Sequence, residues 1–212
     1  VAPRALTNRP GLLLGCNLSP DGKAVFVGQS DEISLHDADT GIALVTVAYP
    51  RNSSGEAAFS PDGRSFVTFN SDLQLHRWDT TTGSALAIAA TGAEAIDATF
   101  SPDGSLLAVT TNYGEVEIRD GASLALLQRL PVTSASISPV VFSPDGLRLL
   151  IGASSGTVQV FSTADWREVT SLVIDVLARP EQRDQITQLR FNQRGDTLAV
   201  ATEGGRAKVW HW

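Results

Sequence analysis

Methionine is absent from all 212 residues, the first position included, so the chain reads as a piece processed or excised from a longer polypeptide. Cysteine occurs once, as Cys16, which excludes an intrachain disulfide and fits a reducing, cytoplasmic compartment. A lone cysteine just before a turn is expected to be a small core residue. No apolar run approaches the ~18–20 residues that span a bilayer, so membrane insertion is not expected. The opening Val1-Ala2-Pro3-Arg4 lacks the basic-then-apolar pattern of a secretory leader. Positive charge is scarce: 16 Lys and Arg stand against 23 Asp and Glu, for a net charge of −7. That balance argues against a nucleic-acid partner.

Dedicated chemistry is equally sparse. Neither a phosphate-binding loop nor a dinucleotide fingerprint is present, so no cofactor is expected. The three histidines, His36, His76 and His211, have no carboxylate or thiol at metal-ligand spacing, so no metal site is expected and structural or surface roles suffice. Gly152-Ala153-Ser154-Ser155-Gly156 fits the pattern of a nucleophile elbow, but an elbow joins a strand to a helix. Here the flanks are Leu149-Leu150-Ile151 and Val158-Gln159-Val160, both strand-like, so a hairpin is expected and no catalytic residue is assigned. Asn17-Leu18-Ser19 and Asn52-Ser53-Ser54 match the glycosylation sequon, which matters only in a secreted chain.

What the sequence has is repetition. Ser-Pro-Asp-Gly occurs four times, ending at Gly22, Gly63, Gly104 and Gly146, and Asn192-Gln193-Arg194-Gly195 is a degenerate fifth copy; successive glycines are 41, 41, 42 and 49 residues apart. The motif specifies a type I turn. Serine accepts from the backbone two residues on, proline pre-sets φ, aspartate (Asp21, Asp62, Asp103, Asp145) tolerates the next position, and glycine takes the left-handed one. Strand-like runs flank each copy, such as Ala57-Ala58-Phe59 before and Phe66-Val67-Thr68-Phe69 after the second, as a hairpin requires.

A third strand follows with alternating apolar pairs: Ile33/Leu35, Leu73/Leu75, Val116/Ile118, Val158/Val160 and Ala207/Val209. A weaker fourth covers Ala43 to Val47, Leu86 to Ala89, Leu124 to Leu130 and Val169 to Ile174. A four-stranded unit cannot bury both faces alone, so neighbouring units must stack. Such units at this period describe an all-β propeller of antiparallel blades. The repeats run approximately 11–48, 54–90, 94–130, 136–175 and 186–212 within one domain over 1–212.

One third strand ends Leu75-His76-Arg77-Trp78-Asp79 and turns through Thr80-Thr81-Thr82-Gly83; His36-Asp37, Arg119-Asp120, Phe161-Ser162 and Trp210-His211 hold the same register. This resembles the WD-repeat family, whose blades end a strand in Trp-Asp. The copies are degenerate: only one is a literal Trp-Asp, and the family's Gly-His pair is missing. By that resemblance Asp72, Thr68 and Trp78 form part of the family's blade-stiffening hydrogen-bond set, with apolar packing supplying most of the cohesion. The resemblance implies ring closure, with 1–6 as the closing fourth strand of the last repeat. A closed five-bladed ring and part of a larger, seven-bladed propeller both stay open, and open blade edges would permit self-association.

The resemblance also implies a docking face, built from loops that enter the first strand or link the second to the third. The 49-residue spacing comes from an insertion, Arg179-Pro180-Glu181-Gln182-Arg183-Asp184, and insertions in repeat arrays map to binding faces. Arg51, Asn52, Tyr113, Arg179, Arg183 and Asp184 are the candidate partner-binding residues, since Arg and Tyr are favoured at hot spots. The expected function is a non-catalytic scaffold or sensor for other proteins or peptides. The alternative is a propeller that gates or docks substrate for an associated hydrolase or peptidase.

Overall fold

The computed structural model describes residues 13–29, 32–48, 53–70, 72–130, 132, 137–174, 184–192 and 194–212. Among them no helix is long and apolar enough to cross a membrane. Among the described residues nineteen strands form five antiparallel sheets, one per repeat. The first blade holds β1 (Leu13–Leu18), β2 (Ala24–Gln29), β3 (Glu32–Asp37) and β4 (Ala43–Ala48). The second holds β5 (Ser53–Phe59), β6 (Ser65–Asn70), β7 (Gln74–Asp79) and β8 (Ala85–Ala90). The third holds β9 (Ala95–Phe100), β10 (Leu106–Thr111), β11 (Val116–Asp120) and β12 (Leu126–Leu130). The fourth holds β13 (Ile137–Phe142), β14 (Arg148–Ala153), β15 (Thr157–Ser162) and β16 (Glu168–Val173). The fifth has three described strands, β17 (Ile186–Phe191), β18 (Thr197–Thr202) and β19 (Ala207–His211). Within every blade the strands pair in chain order. The expected closing strand, 1–6, lies outside the described residues.

The chain divides into two compact units, one of residues 1–95 with 122–125, the other of 96–121 with 126–212. Each is built by stacking blades face to face. In the first unit, Phe26, Ile33, Leu35 and Val45 of blade one close on Phe66 and Trp78 of blade two. In the second, Ala108, Val116 and Ile118 of blade three pack with Val140, Phe142, Leu149 and Phe161 of blade four. Leu150, Val158 and Val160 of blade four then meet Leu189, Leu198 and Trp210 of blade five. Within each unit the third strands thus pack one set of alternate apolar residues on the neighbouring blade, as Ile33 and Leu35 do in blade one and Val158 and Val160 in blade four, which is how the period-2 pattern is used.

Two positions assigned to strands, Leu73 and Leu124, lie instead in turns, and three described non-glycine turn residues have positive φ. Leu73 is not an inward strand residue paired with Leu75; it precedes β7 with φ 63° and is 41% exposed. It occupies the left-handed position that Gly114, Gly156 and Gly205 hold in later repeats. Leu124 likewise lies outside β12, at φ 62°, and Trp166 has φ 57°; both stand where Gly41 and Gly83 stand in the first two blades. Leu124 is fully buried and Trp166 packs on the core of blades three and four, so burial offsets backbone strain there. At Gly83 a Cβ would fall 2.5 Å from Val45 Cγ1, so a side chain there would displace Val45.

Leu73 has strain without that compensation. Left-handed backbone costs a bulky L-residue about 1–2 kcal/mol, partly offset by the extra chain entropy glycine loses on folding. Leu73→Gly is therefore expected to stabilise the protein by about 0.5–1 kcal/mol, read as a raised midpoint in urea. A lowered midpoint would contradict the assignment of strain to this residue.

Candidate functional site

The four Ser-Pro-Asp-Gly turns share one wiring. Each glycine N–H donates to the serine carbonyl at 2.8–2.9 Å. The serine hydroxyl donates to the aspartate Oδ1 at 2.5–2.7 Å. The same Oδ1 accepts the N–H following the glycine at 2.9–3.1 Å. Serine Oγ accepts the N–H five residues on at 2.9–3.0 Å. This corrects the expectation that serine takes the N–H two residues on: its Oγ accepts the N–H five residues on, at the start of the next strand, and the carboxylate, the stronger acceptor, takes the N–H four residues on. These bonds hold the carboxyls of Asp21, Asp62, Asp103 and Asp145 below the usual aspartate range, the serine hydroxyl contributing most. In the fifth turn Asn192 takes over the serine's bond to Thr197 N–H, while Asp196, beyond the glycine, accepts from Asn192 Nδ2 at 2.7 Å.

The third strands carry a second repeated pair, three and one residues before the strand-ending position, and each blade fills it differently. Ser34 and His36 hydrogen-bond at 2.9 Å. His76 stacks on Trp78 at 5.6 Å, and Trp78 Nε1–H donates to Thr68 Oγ1 at 2.8 Å. Asp72 stands apart from that bond, accepting Gln74 N–H at 3.1 Å. Asp79 accepts the N–H groups of Thr81 and Thr82 at 2.9 and 2.8 Å, closing the following turn. Lys208 sits over Trp210, 5.0 Å from the ring centroid.

Blade three uses this position for an ion network that sequence reading missed. Glu117 is 0% and Arg119 3% exposed; Arg119 donates through Nε and Nη2 to Glu117 Oε2 at 2.9 and 2.6 Å. Arg129, half exposed on β12, reaches Glu117 Oε1 at 3.2 Å. The period-2 spacing of Glu117 and Arg119 beside Val116 and Ile118 was the available signal, since it places them together on the face that other blades bury.

Of the candidate partner residues, Arg51, Asn52, Arg179 and Arg183 lie outside the described residues. Tyr113 sits in the β10–β11 turn and is 76% exposed, between Asn112 and the buried Gly114. Asp184 turns into its own blade, 3.5 Å from Arg206 Nη1 and 3.4 Å from Thr202 Oγ1, over Gly204, where any Cβ would fall 2.3 Å from its carboxylate. The Gly152–Gly156 segment is a hairpin joining β14 to β15, with Gly156 N–H on the Ala153 carbonyl at 3.1 Å. His36 and His76 are buried, and burial holds His76 below the usual histidine range.

Cys16 is exposed rather than in the core. It holds the β1 position at which Ala57 and Val140 receive a preceding blade, and Leu18, two residues on, is 63% exposed. The first-strand edges are also tied by polar links. Asn17 Nδ2 donates to the Ala57 carbonyl at 2.9 Å. Asp97 Oδ2 accepts Val140 N–H at 3.0 Å and Oδ1 accepts Ala98 N–H at 2.8 Å. Burial still raises the Asp97 carboxyl above its usual range.

No protein-family model matches this sequence, and no curated protein matches it. Its fold is common among solved structures, with 1798 similar chains, so architecture alone does not select a function. One similar structure is the β-propeller domain of Cps50 (Swd1) from Myceliophteria thermophila. The TM-score is 0.83 at 16% identity, over 96% of this chain and 67% of that one. The chain thus has the β-propeller fold, and its five sheets are propeller blades.

Two outcomes follow from the polar geometry. Glu117→Ala strands Arg119 in a buried site and is expected to cost about 3–5 kcal/mol, whereas Arg129→Ala, at the exposed end of the same network, should cost under about 1 kcal/mol; equal losses in urea titrations would contradict the network's burial order. The turn carboxyls have folded pKa values below their unfolded ones, so their stabilisation is present above about pH 4 and is lost as pH falls through the folded values. Asp97, raised on folding, has the opposite sign. Thermal scans from pH 7 to 2 should show the midpoint dropping below about pH 4, with a shallower drop when Asp62, Asp103 and Asp145 are all changed to Asn. An unchanged slope would show that the turn wiring carries no pH-dependent stability.

Proposed function

We propose that this chain works as a non-catalytic platform, in the cytoplasm, that holds protein or peptide partners on its loops. The observation that carries this reading is Tyr113. It is a large aromatic side chain 76% exposed at the tip of a tight turn, held on a strand pair whose other residues are largely buried. A rigidly mounted, exposed tyrosine makes a low-entropy anchor for a partner. The polar groups repeated through the blades have internal work in turns and strand ends, as the Asp21, Asp62, Asp103 and Asp145 wiring illustrates. The inserted loop with Arg179 and Arg183 supplies the cationic contacts of the same surface in this proposal.

The test is quantitative capture by the immobilised chain, compared between wild type, Tyr113→Ala and a double Arg179→Glu/Arg183→Glu variant. Each variant should lose specific partners at least tenfold, the loss expected for a ~1.4 kcal/mol contact, with thermal midpoints unchanged. Undiminished capture by all variants would remove the proposed face.

A further inference from the structure

The fourth strand of each of the first four blades ends its sheet, so one of its edges faces no strand among the described residues. An open edge of this kind is a template for another strand, and charged side chains or proline ordinarily block it. In blade three that strand carries Arg129, and in blade four Glu168. In blade one β4 is uncharged, but it sets Leu44 beside the exposed Thr46, and Pro50 follows. In blade two β8 reads Ala85-Leu86-Ala87-Ile88-Ala89-Ala90, and residues 80–93 hold no charge and no proline. On it Leu86 is 50% and Ile88 57% exposed.

The direction of the backbone at Ile88 follows from its neighbours. Thr91 N–H donates to the Leu73 carbonyl at 2.8 Å, and Ala89 and Ala87 lie opposite Leu75 and Arg77 in the same register. Hydrogen-bonded and non-hydrogen-bonded pairs alternate along an antiparallel ladder, so Ala87 and Ala89 bond inward to β7. Ile88, opposite His76, therefore turns its N–H and carbonyl outward. The bulge in this ladder falls between Arg77 and Trp78, beyond Ala87, and leaves the run from Ala87 to Ala90 regular. Alanines flank Ile88 on both sides, so no bulky neighbour obstructs an approaching backbone.

We propose that β8 is a self-association edge, pairing antiparallel with β8 of a second copy about a two-fold axis at Ile88. The edge is complementary to itself. Ile88 N–H of each copy donates to the other copy's Ile88 carbonyl, each Ala87 lies opposite an Ala89, and each Leu86 lies opposite an Ala90. The two isoleucines form a cross-strand pair, with the leucines diagonal to it. Two copies that each carry a net charge of −7 repel one another in general, and here they meet over residues without charge. A foreign strand would have to bring the same uncharged, alanine-flanked register, which a second copy always supplies. One strand pair is smaller than the ~1,200–2,000 Å² of a stable interface, so the dimer is weak and concentration-dependent. It uses neither the Tyr113 turn nor the inserted loop and does not rest on the partner surface proposed above.

Sedimentation equilibrium of the full chain, from micromolar to submillimolar concentration, tests this. The wild type should pass from monomer to dimer. Ile88→Lys should weaken the dimer about tenfold or more, whereas Val169→Lys, at a similarly exposed site on β16, should leave it unchanged, with all thermal midpoints alike. In a Cys16→Ser background, Ile88→Cys should form a disulfide-linked dimer on mild oxidation, because a hydrogen-bonded pair holds its Cα atoms about 5.5 Å apart, within disulfide reach. Val169→Cys in the same background should stay monomeric. A wild type that is monomeric throughout, a dimer undiminished by Ile88→Lys, or equal crosslinking of the two cysteine variants would overturn the proposal.

Discussion

A four-stranded sheet with apolar residues on both faces cannot be stable by itself, and that constraint organises this protein. Burying Ile33 and Leu35 on one side of a strand leaves the intervening residues on the other, and each set needs its own cover. The chain answers by repeating the sheet, so that Trp78 closes over blade one and Phe161 over blade three. At about 25 cal/mol per Å² of apolar area removed from water, such faces outweigh any single turn or ion pair. The polar features then have a narrower job, which is to fix where each strand begins and ends. The Ser-Asp wiring sets the hairpin register with one carboxylate and one hydroxyl, and the Asp79 type of turn does the same for the third and fourth strands.

Because the stack needs only a side chain of suitable volume and satisfied polarity at each receiving position, that position drifts. Histidine, tryptophan, arginine, phenylalanine and tryptophan occupy it in the five blades, paired in turn with serine, histidine, glutamate, glutamine and lysine. The buried Glu117–Arg119 pair shows how far the drift goes. An ion pair replaces an aromatic stack, tolerated because both charges are hydrogen-bonded to each other and Arg129 reaches in from the edge. The buried charges are thus satisfied within blade three itself, as a buried ion pair requires.

Much of the fold could be read from residues alone. Ser-Pro-Asp-Gly fixed the hairpins, and alternation fixed the second and third strands, because turn chemistry and strand period are local properties. What escaped was set by neighbours distant in sequence. Leu73, Leu124 and Trp166 look like strand or loop residues until their equivalence to glycines in other blades is seen, and only packing explains why the last two tolerate positive φ. Cys16 is a small apolar residue of the kind cores contain, yet it is exposed. The candidate binding residues were least legible: Asp184 reads as a free loop carboxylate, yet a close approach at Gly204 draws it onto its own blade.

The central claim is that cohesion between blades comes from direct apolar contact across their faces. A double-mutant cycle on Leu35→Ala and Trp78→Ala, measured by urea unfolding, addresses it most directly. Residues in direct contact across one interface should show a coupling energy of about 0.5–3 kcal/mol. Losses that simply add, to within about 0.3 kcal/mol, would mean that the two blades are stabilised separately and would contradict the account.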